Sequence, residues 1–285
     1  MVRKMMGRTG KRVVIEDYYG YNLCRRYGGC RPPHGRLLEI LSRGEENYAR
    51  RLREFASFAG IFREFPLDDT VAKSRVDPVW NNGFFPALDM IALFGLIAVE
   101  KPRTYFEIGS GYSTRVAARA RELFSPETRI ISLDPRPRTG IDILCDEIIR
   151  EPLEGCDPDL FAGLAAGDML FFDGSHRVLQ NSDNEVFFFD VIPRLRKGVY
   201  IHLHDIYWPF DYPDEWSRRM YSEQYVLGAM LLYGADVFEV VLPNVYISWC
   251  TSLSELLREV WNEPRLRTLA NREGSSFWLR KRAGG

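Results

Sequence analysis

The sequence predicts an α/β fold: a mostly parallel sheet with an antiparallel last strand, preceded by an N-terminal helical extension. Three observations predict it. Short apolar runs alternate with helix-length stretches through the middle of the chain, the mark of βαβ units. A helix-spaced apolar pattern occupies residues 36–62 ahead of them. Towards the end the alternation gives way to strand, helix and strand, which suits a sheet closed by an antiparallel edge. At 285 residues the chain has room for one large α/β domain, or one domain plus an extension.

The elements follow in order. Residues 1–35 read as poorly ordered or loop-like and end in Arg31-Pro-Pro-His-Gly35. Arg3, Lys4, Arg8, Lys11 and Arg12 form a basic cluster, with no apolar run behind it to make a secretory signal. A solvated tail is the plain reading; contact with RNA or anionic lipid is the alternative. In residues 36–62, Leu37, Leu38, Ile40, Leu41, Tyr48, Leu52, Phe55, Phe58 and Ala59 recur at the near-helical spacing of an apolar face, with a break at Gly44. That face suits packing on the main domain or on another subunit, which leaves a homodimer open. A polar and aromatic loop spans 76–85, and a helix is predicted over 86–99. Strands are predicted at 103–108, 129–134, 146–150, 168–173 and 198–204, with helices at 113–123, 158–165 and 181–193. The last part reads as helix 223–232, strand 237–242, helix 252–262 and strand 276–280.

Composition narrows the function. Lys+Arg and Asp+Glu number 38 and 39, a net charge of −1. A dedicated nucleic-acid binder would show a basic excess, so no nucleic-acid partner is expected. No apolar run reaches the ~18 residues of a membrane span, so no membrane partner is expected either. The five cysteines stand at 24, 30, 145, 156 and 250, an odd count without a Cys-x-x-Cys pair. That argues against a disulfide framework or a structural zinc and for a reducing, cytoplasmic setting.

The first chemical signal is a strand running into a glycine turn. Thr104-Tyr-Phe-Glu-Ile108 leads into Gly109-Ser110-Gly111, and a helix begins near Ser113-Thr114. Glycines allow a sharp turn and close approach of a ligand. The unpaired N–H groups of the helix start suit a carboxylate, and Glu107 suits a cationic amine. Ser113 or Thr114 can cap the helix or bind the ligand. Two alternatives stay open at this point: a dinucleotide site, although Thr114 stands where that fingerprint wants a third small residue, and a tight turn that binds nothing. The next strand ends in Asp134, an acid placed to accept hydrogen bonds from two vicinal ribose hydroxyls. Taken together, the two strand ends specify an amino-acid end and a ribose end.

The second signal joins two later strands. Asp173 ends one and runs into Gly174-Ser-His176; His204 and Asp205 end the other. Adjacent parallel strands would bring Asp173, His204 and Asp205 to one edge. Two carboxylates and an imidazole can bind a divalent cation, Mg²⁺ or another such as Mn²⁺, Fe²⁺ or Zn²⁺. A cation would lower a hydroxyl's pKa, and His176 is placed to take the proton as general base with Asp173 beside it. The plain readings are that Asp173 only touches a cofactor and that His204 and Asp205 bond within a turn. His202 reads as a core histidine. Residues 209–216, rich in proline and aromatics, suit a lid, and Trp80, Asn81 and Asn82 suit the opposite wall. Asn181, Ser182 and Asp183 read as helix-capping residues, while Arg136 and Arg138 can attract an anionic acceptor.

Glu107-Ile-Gly-Ser-Gly-Tyr-Ser-Thr114 resembles the first motif of class I methyltransferases, and Asp134 resembles their second-strand acid. The resemblance covers about residues 76–281. It implies a Rossmann-like, seven-stranded sheet with S-adenosylmethionine lying along the C-terminal strand ends. It divides the chain into a tail and helical extension, 1–75, and a methyltransferase domain, 76–285. Asp173-Gly-Ser-His176 followed by His202-Leu-His-Asp-Ile206 is similar to a metal-dependent subgroup that methylates hydroxyls of macrolide sugars and cephalosporin-type antibiotics. In that subgroup acids after the fourth and fifth strands hold magnesium and a following histidine is the base; Asp173, Asp205 and His176 match. His204 departs, because an acid commonly stands there. The expectation is a methyltransferase acting on a hydroxyl of a small-molecule acceptor. The alternatives are a metal-dependent hydroxylase or hydrolase on the same fold, and a non-catalytic module that binds S-adenosylmethionine.

Overall fold

The computed structural model describes residues 24–138, 140–234, 236–269 and 272–282. The basic cluster from Arg3 to Arg12 lies outside the described residues. The sheet has seven strands: β1 (Thr104–Ile108), β2 (Arg129–Leu133), β3 (Glu147–Ile149), β4 (Met169–Phe172), β5 (Tyr200–Leu203), β6 (Phe238–Pro243) and β7 (Phe277–Lys281). Each lies within two residues of its predicted place. The order is β3-β2-β1-β4-β5-β7-β6. The first five run parallel. The antiparallel strand is the last in the chain, as expected, but it sits inside the sheet, between β5 and β6. This is the Rossmann-like sheet of the class I methyltransferase fold. β4 and β5 are buried along their whole length, which is why they read as unbroken apolar runs rather than alternating ones.

The helical extension forms α1 (Gly35–Ser42), α2 (Glu45–Ala56) and α3 (Ala59–Phe62). Gly44 is the expected break: a Cβ there would fall 2.2 Å from the Tyr48 hydroxyl. α2, and Phe62 of α3, pack on α4 (Ala87–Glu100), while α1 packs on the later helix Glu223–Tyr233. Twelve of the fourteen α4 residues are buried, the signature of a core helix that is apolar all round. At Gly95 the packing is closest, since a Cβ there would fall 2.3 Å from the Phe55 ring. The face that left a second subunit open is therefore covered within the chain. α4 ends at Lys101 in the left-handed region (φ 49°), just before Pro102.

α5 (Tyr112–Phe124) follows the glycine turn. The helix expected at 158–165 is only a 3₁₀ turn, Pro158–Phe161; of its residues only Phe161 is buried, and Gly155, Gly163 and Gly167 crowd the segment. The helix expected from 181 begins as α6 (Asp183–Val186), passes through a π turn at Phe187–Val191 and ends as α7 (Ile192–Arg194). Ser182 caps it, accepting from the Glu185 N–H at 3.1 Å. α8 (Glu223–Tyr233) matches its prediction. The helix expected at 252–262 is divided into three short pieces. No helix among the described residues is long and apolar enough to cross a membrane.

Strand order reverses between β1 and β4, and ligands of open α/β sheets bind at such a switch point. Gly109 and Asp173 stand there side by side: Gly109 has φ +82°, and a Cβ on it would fall 2.0 Å from the Asp173 carbonyl oxygen.

Candidate active site

Two cavities open at this switch point. The smaller, about 220 Å³, is lined by Gly109, Ser110, Gly111, Ser113, Asp134 and Asp173, among others. Asp134 accepts from the Ser110 N–H at 2.9 Å and the Arg136 N–H at 2.7 Å, which ties the end of β2 to the glycine turn. The space beside Gly111 is open, since a Cβ there would meet nothing within 4 Å. Open room against a backbone turn, free N–H groups at the start of α5 and a carboxylate on the neighbouring strand fit an amino acid joined to a ribose.

Glu107 and Thr114 do not line this cavity. Both are completely buried, beneath the turn. The Thr114 hydroxyl donates to Glu107 and accepts from the Gly111 N–H, while the Tyr105 hydroxyl donates to Glu107 at 3.0 Å. Burial drives the Glu107 pKa up to about 7, against the opposing pull of the Ser113, Thr114 and Tyr105 hydroxyls. Their bonds tie the Gly111 N–H through Thr114 to the end of β1.

The larger cavity, about 1320 Å³, has Asp173, His176, His204 and Asp205 in its lining. Of the segment expected as a lid, Phe210, Asp211, Pro213 and Trp216 line one wall, together with Tyr207 before it. Residues 24–34 strap it down. Asp211 accepts the N–H groups of Arg26 at 2.6 Å and Tyr27 at 2.9 Å, and the His34 N–H donates to the Pro209 carbonyl at 2.9 Å. Trp80 and Asn81 line the cavity as expected. Asn82 instead holds its own loop, bonding the backbone of Val79, Phe84 and Phe85. Arg138 borders both cavities, and Arg136 the smaller one.

His176 and His204 each stand among carboxylates. His176 Nδ1 is 2.6 Å from Glu223 Oε1, and its Nε2 is 3.4 Å from Asp173 and 3.6 Å from Asp205. His204 Nε2 is 3.3 Å from Asp89 Oδ2, and its Nδ1 is 3.4 Å from Asp205 and 3.7 Å from Asp173. Burial opposes the protonated forms. For His176 the charge of Glu223, then those of Asp173 and Asp205, outweighs it and raises the pKa to about 9. For His204 Asp205, Asp173 and Asp89 do the same, to about 10. Glu223, wholly buried, is raised to about 7 by burial against the pull of His176. His176 and Asp205 both hold left-handed backbone, φ +61° and +56°, a conformation that costs a non-glycine residue energy and that collects at functional sites.

Asp173, His204 and Asp205 do come together, with His204 Nδ1 3.4 Å from Asp205 and 3.7 Å from Asp173. A metal-bound imidazole must offer a lone pair. Glu223 and Asp89 hold one ring nitrogen each of His176 and His204, which leaves His176 Nε2 and His204 Nδ1 turned towards Asp173 and Asp205. Among the described residues no group of three or more His, Cys, Asp or Glu side chains has the arrangement of a metal site. His202 is the expected core histidine: it stacks on Phe171 at 3.7 Å, its Nε2 bonds the Ser276 hydroxyl at 2.7 Å, and burial pushes its pKa well down. The five cysteines are free.

Sequence reasoning missed Glu223, Asp89 and the strap. Asp89 carried a signal, since a lone acid inside an apolar helix asks for a partner. Glu223 and the strap carried none.

Residues 106–206 match the family model of a methyltransferase domain. An uncharacterized protein of Archaeoglobus fulgidus is 32% identical over 90 residues, covering 30% of this chain and 41% of that one. The chain thus spans about two fifths of the length of that relative. Among solved structures, a candidate methyltransferase from Thermobifida fusca is 15% identical over 70% of this chain and 85% of its own, with a TM-score of 0.43. A candidate O-methyltransferase from Klebsiella pneumoniae is 14% identical over 83% and 90%, with a TM-score of 0.35. The fold rests on the strand order above rather than on these scores.

Proposed function

We propose that this chain, whose residues 106–206 match the family model of a methyltransferase domain, is a class I S-adenosylmethionine-dependent methyltransferase that transfers a methyl group to a hydroxyl oxygen of a small-molecule acceptor. One observation carries this reading: Asp173 lines both cavities, so a donor in the small one and an acceptor in the large one would meet beside it. When bound, S-adenosylmethionine supplies an electrophilic methyl group on a sulfonium. Ser110, Gly111 and Asp134 position it, and the aromatic lid and strap exclude water. The neutral form of His176, its Nδ1–H held by Glu223, takes the hydroxyl proton at Nε2 as the acceptor oxygen bonds the methyl carbon and the carbon–sulfur bond breaks. Positioning of the two reactants supplies most of the acceleration.

Calorimetry with S-adenosylmethionine and with its demethylated product tests this reading, followed by label transfer to a panel of sugar, polyketide and phenol hydroxyls. Binding is expected, and Asp134→Ala should weaken it at least tenfold. The reading fails if the wild-type protein binds neither compound.

A further inference from the structure

We propose that the acceptor carries an acid group, a carboxylate or a phosphate, close to the hydroxyl that receives the methyl group, and that the Arg219 guanidinium binds it. This deepens the methyl-transfer reading above and rests on it.

Arg219 lines the large cavity and is held there from three sides. Its Cζ is 3.9 Å from the centroid of the Trp216 ring and 5.6 Å from that of Tyr221. Its carbonyl accepts from Arg177 Nε at 2.9 Å, which pins the backbone. The rings are themselves fixed: Trp216 packs edge-on against Tyr207 at 5.2 Å and against Tyr221 at 5.7 Å. The Tyr221 ring in turn lies 4.4 Å from the His176 ring, so Arg219 stands one aromatic ring away from the base. A guanidinium placed over a ring is restrained in position while its fork of N–H donors stays free.

The charge of Arg219 has no counter-ion: no carboxylate oxygen lies within 4.0 Å of it among the described residues. Other charges of the same lining are engaged. Arg25 faces Asp214 at 3.3 Å and Glu215 at 4.0 Å. Asp173 and Asp205 face His176, and Asp211 holds the strap. A second guanidinium, Arg138, lies 4.6 Å from the Phe84 centroid, but it borders the donor cavity as well and so is shared between the two reactants. Arg219 borders the large cavity alone of these two.

The chemistry of the free fork selects an acid. Its paired N–H donors match two oxygens of a carboxylate or phosphate, and the bond is charge-assisted, whereas a neutral hydroxyl or amide offers neither the second oxygen nor the charge. An acceptor held by its acid group is also oriented by it, with its hydroxyl turned to His176.

Calorimetry on the full-length protein with the demethylated cofactor bound tests this with matched probes: hydroxybenzoate against its amide, glucuronate against glucose, and glucose phosphate against glucose. In at least one pair the acid should bind about tenfold more tightly or better, and the pair that shows it separates carboxylate from phosphate. Arg219→Gln should remove that preference. Arg31→Gln, which takes a charge from the same lining, should leave it in place. A purely structural role for Arg219 would weaken acid and neutral probes alike. The proposal is overturned if no acid binds better than its neutral partner, if the preference survives Arg219→Gln, or if Arg31→Gln removes it equally, which would mean general attraction to the cavity's charge. A protein that does not bind the demethylated cofactor overturns the methyl-transfer reading, whereas one that binds it and shows no acid preference overturns only this inference.

Discussion

Glu223 places Oε1 2.6 Å from Nδ1 of His176, joining the first residue of α8 to the loop that leaves β4. Glu223 is buried and does not line the large cavity, so any effect it has there runs through the histidine. It fixes the ring so that Nε2 faces Asp173 and Asp205, and its charge is the foremost of those that raise the histidine's pKa.

The first prediction follows from that bond. His176 must be neutral to accept a proton, so kcat should rise with pH and level off above about 9. Glu223→Gln removes the main raising charge, so the rising limb should move to lower pH. The plateau should fall by on the order of 10²-fold through lost orientation, with KM little changed. The measurement is a pH–rate profile on whichever panel acceptor turns over. A limb that stays in place while kcat falls would assign Glu223 a merely structural role.

Much of this was legible in the sequence, and the exceptions have physical causes. Every strand was visible because each is a short apolar run next to a turn. The two acid-bearing strand ends were visible because Asp134 and Asp173 end such runs. What the sequence could not give was direction and burial. Glu107 sits two residues after Tyr105 on the same strand face and points beneath the turn, where Tyr105 and Thr114 hold it. Asp173, His204 and Asp205 have the residue types of a ligand set. Only the positions of Asp89 and Glu223, 115 residues before His204 and 47 after His176, show that the imidazoles are already paired.

The second prediction concerns stability in alkali. His176 and His204 have folded pKa values of about 9 and about 10, above the ~6.5 of an unfolded histidine. Their contribution is therefore complete below that value and is lost as pH rises through the folded ones. Glu107 and Glu223, raised to about 7, must be buried as ions above that pH, which adds a cost that is complete before the histidines titrate. The Tm should fall steadily between pH 7 and pH 10, and His204→Gln should flatten the fall. A Tm that is level or rising over that range in calorimetric scans would contradict the ion-paired cluster.

The third prediction separates two glycines of one turn. Gly109 has φ +82°, and a Cβ would overlap the Asp173 carbonyl oxygen at 2.0 Å. Gly109→Ala therefore both strains the backbone and forces β1 and β4 apart, a cost of at least about 2 kcal/mol, with a Tm several degrees lower. Gly111, at φ 177°, lies outside the left-handed region. A Cβ on it meets nothing within 4 Å, so Gly111→Ala should melt with the wild-type protein. Its methyl group projects into the open space of the small cavity, where the cofactor's amino-acid end would lie against the turn. S-adenosylmethionine should bind on the order of tenfold more weakly, because a ligand that needs close backbone approach cannot tolerate a side chain there. A Gly111→Ala protein with unchanged Tm and unchanged affinity would mean that the cofactor does not rest on this turn.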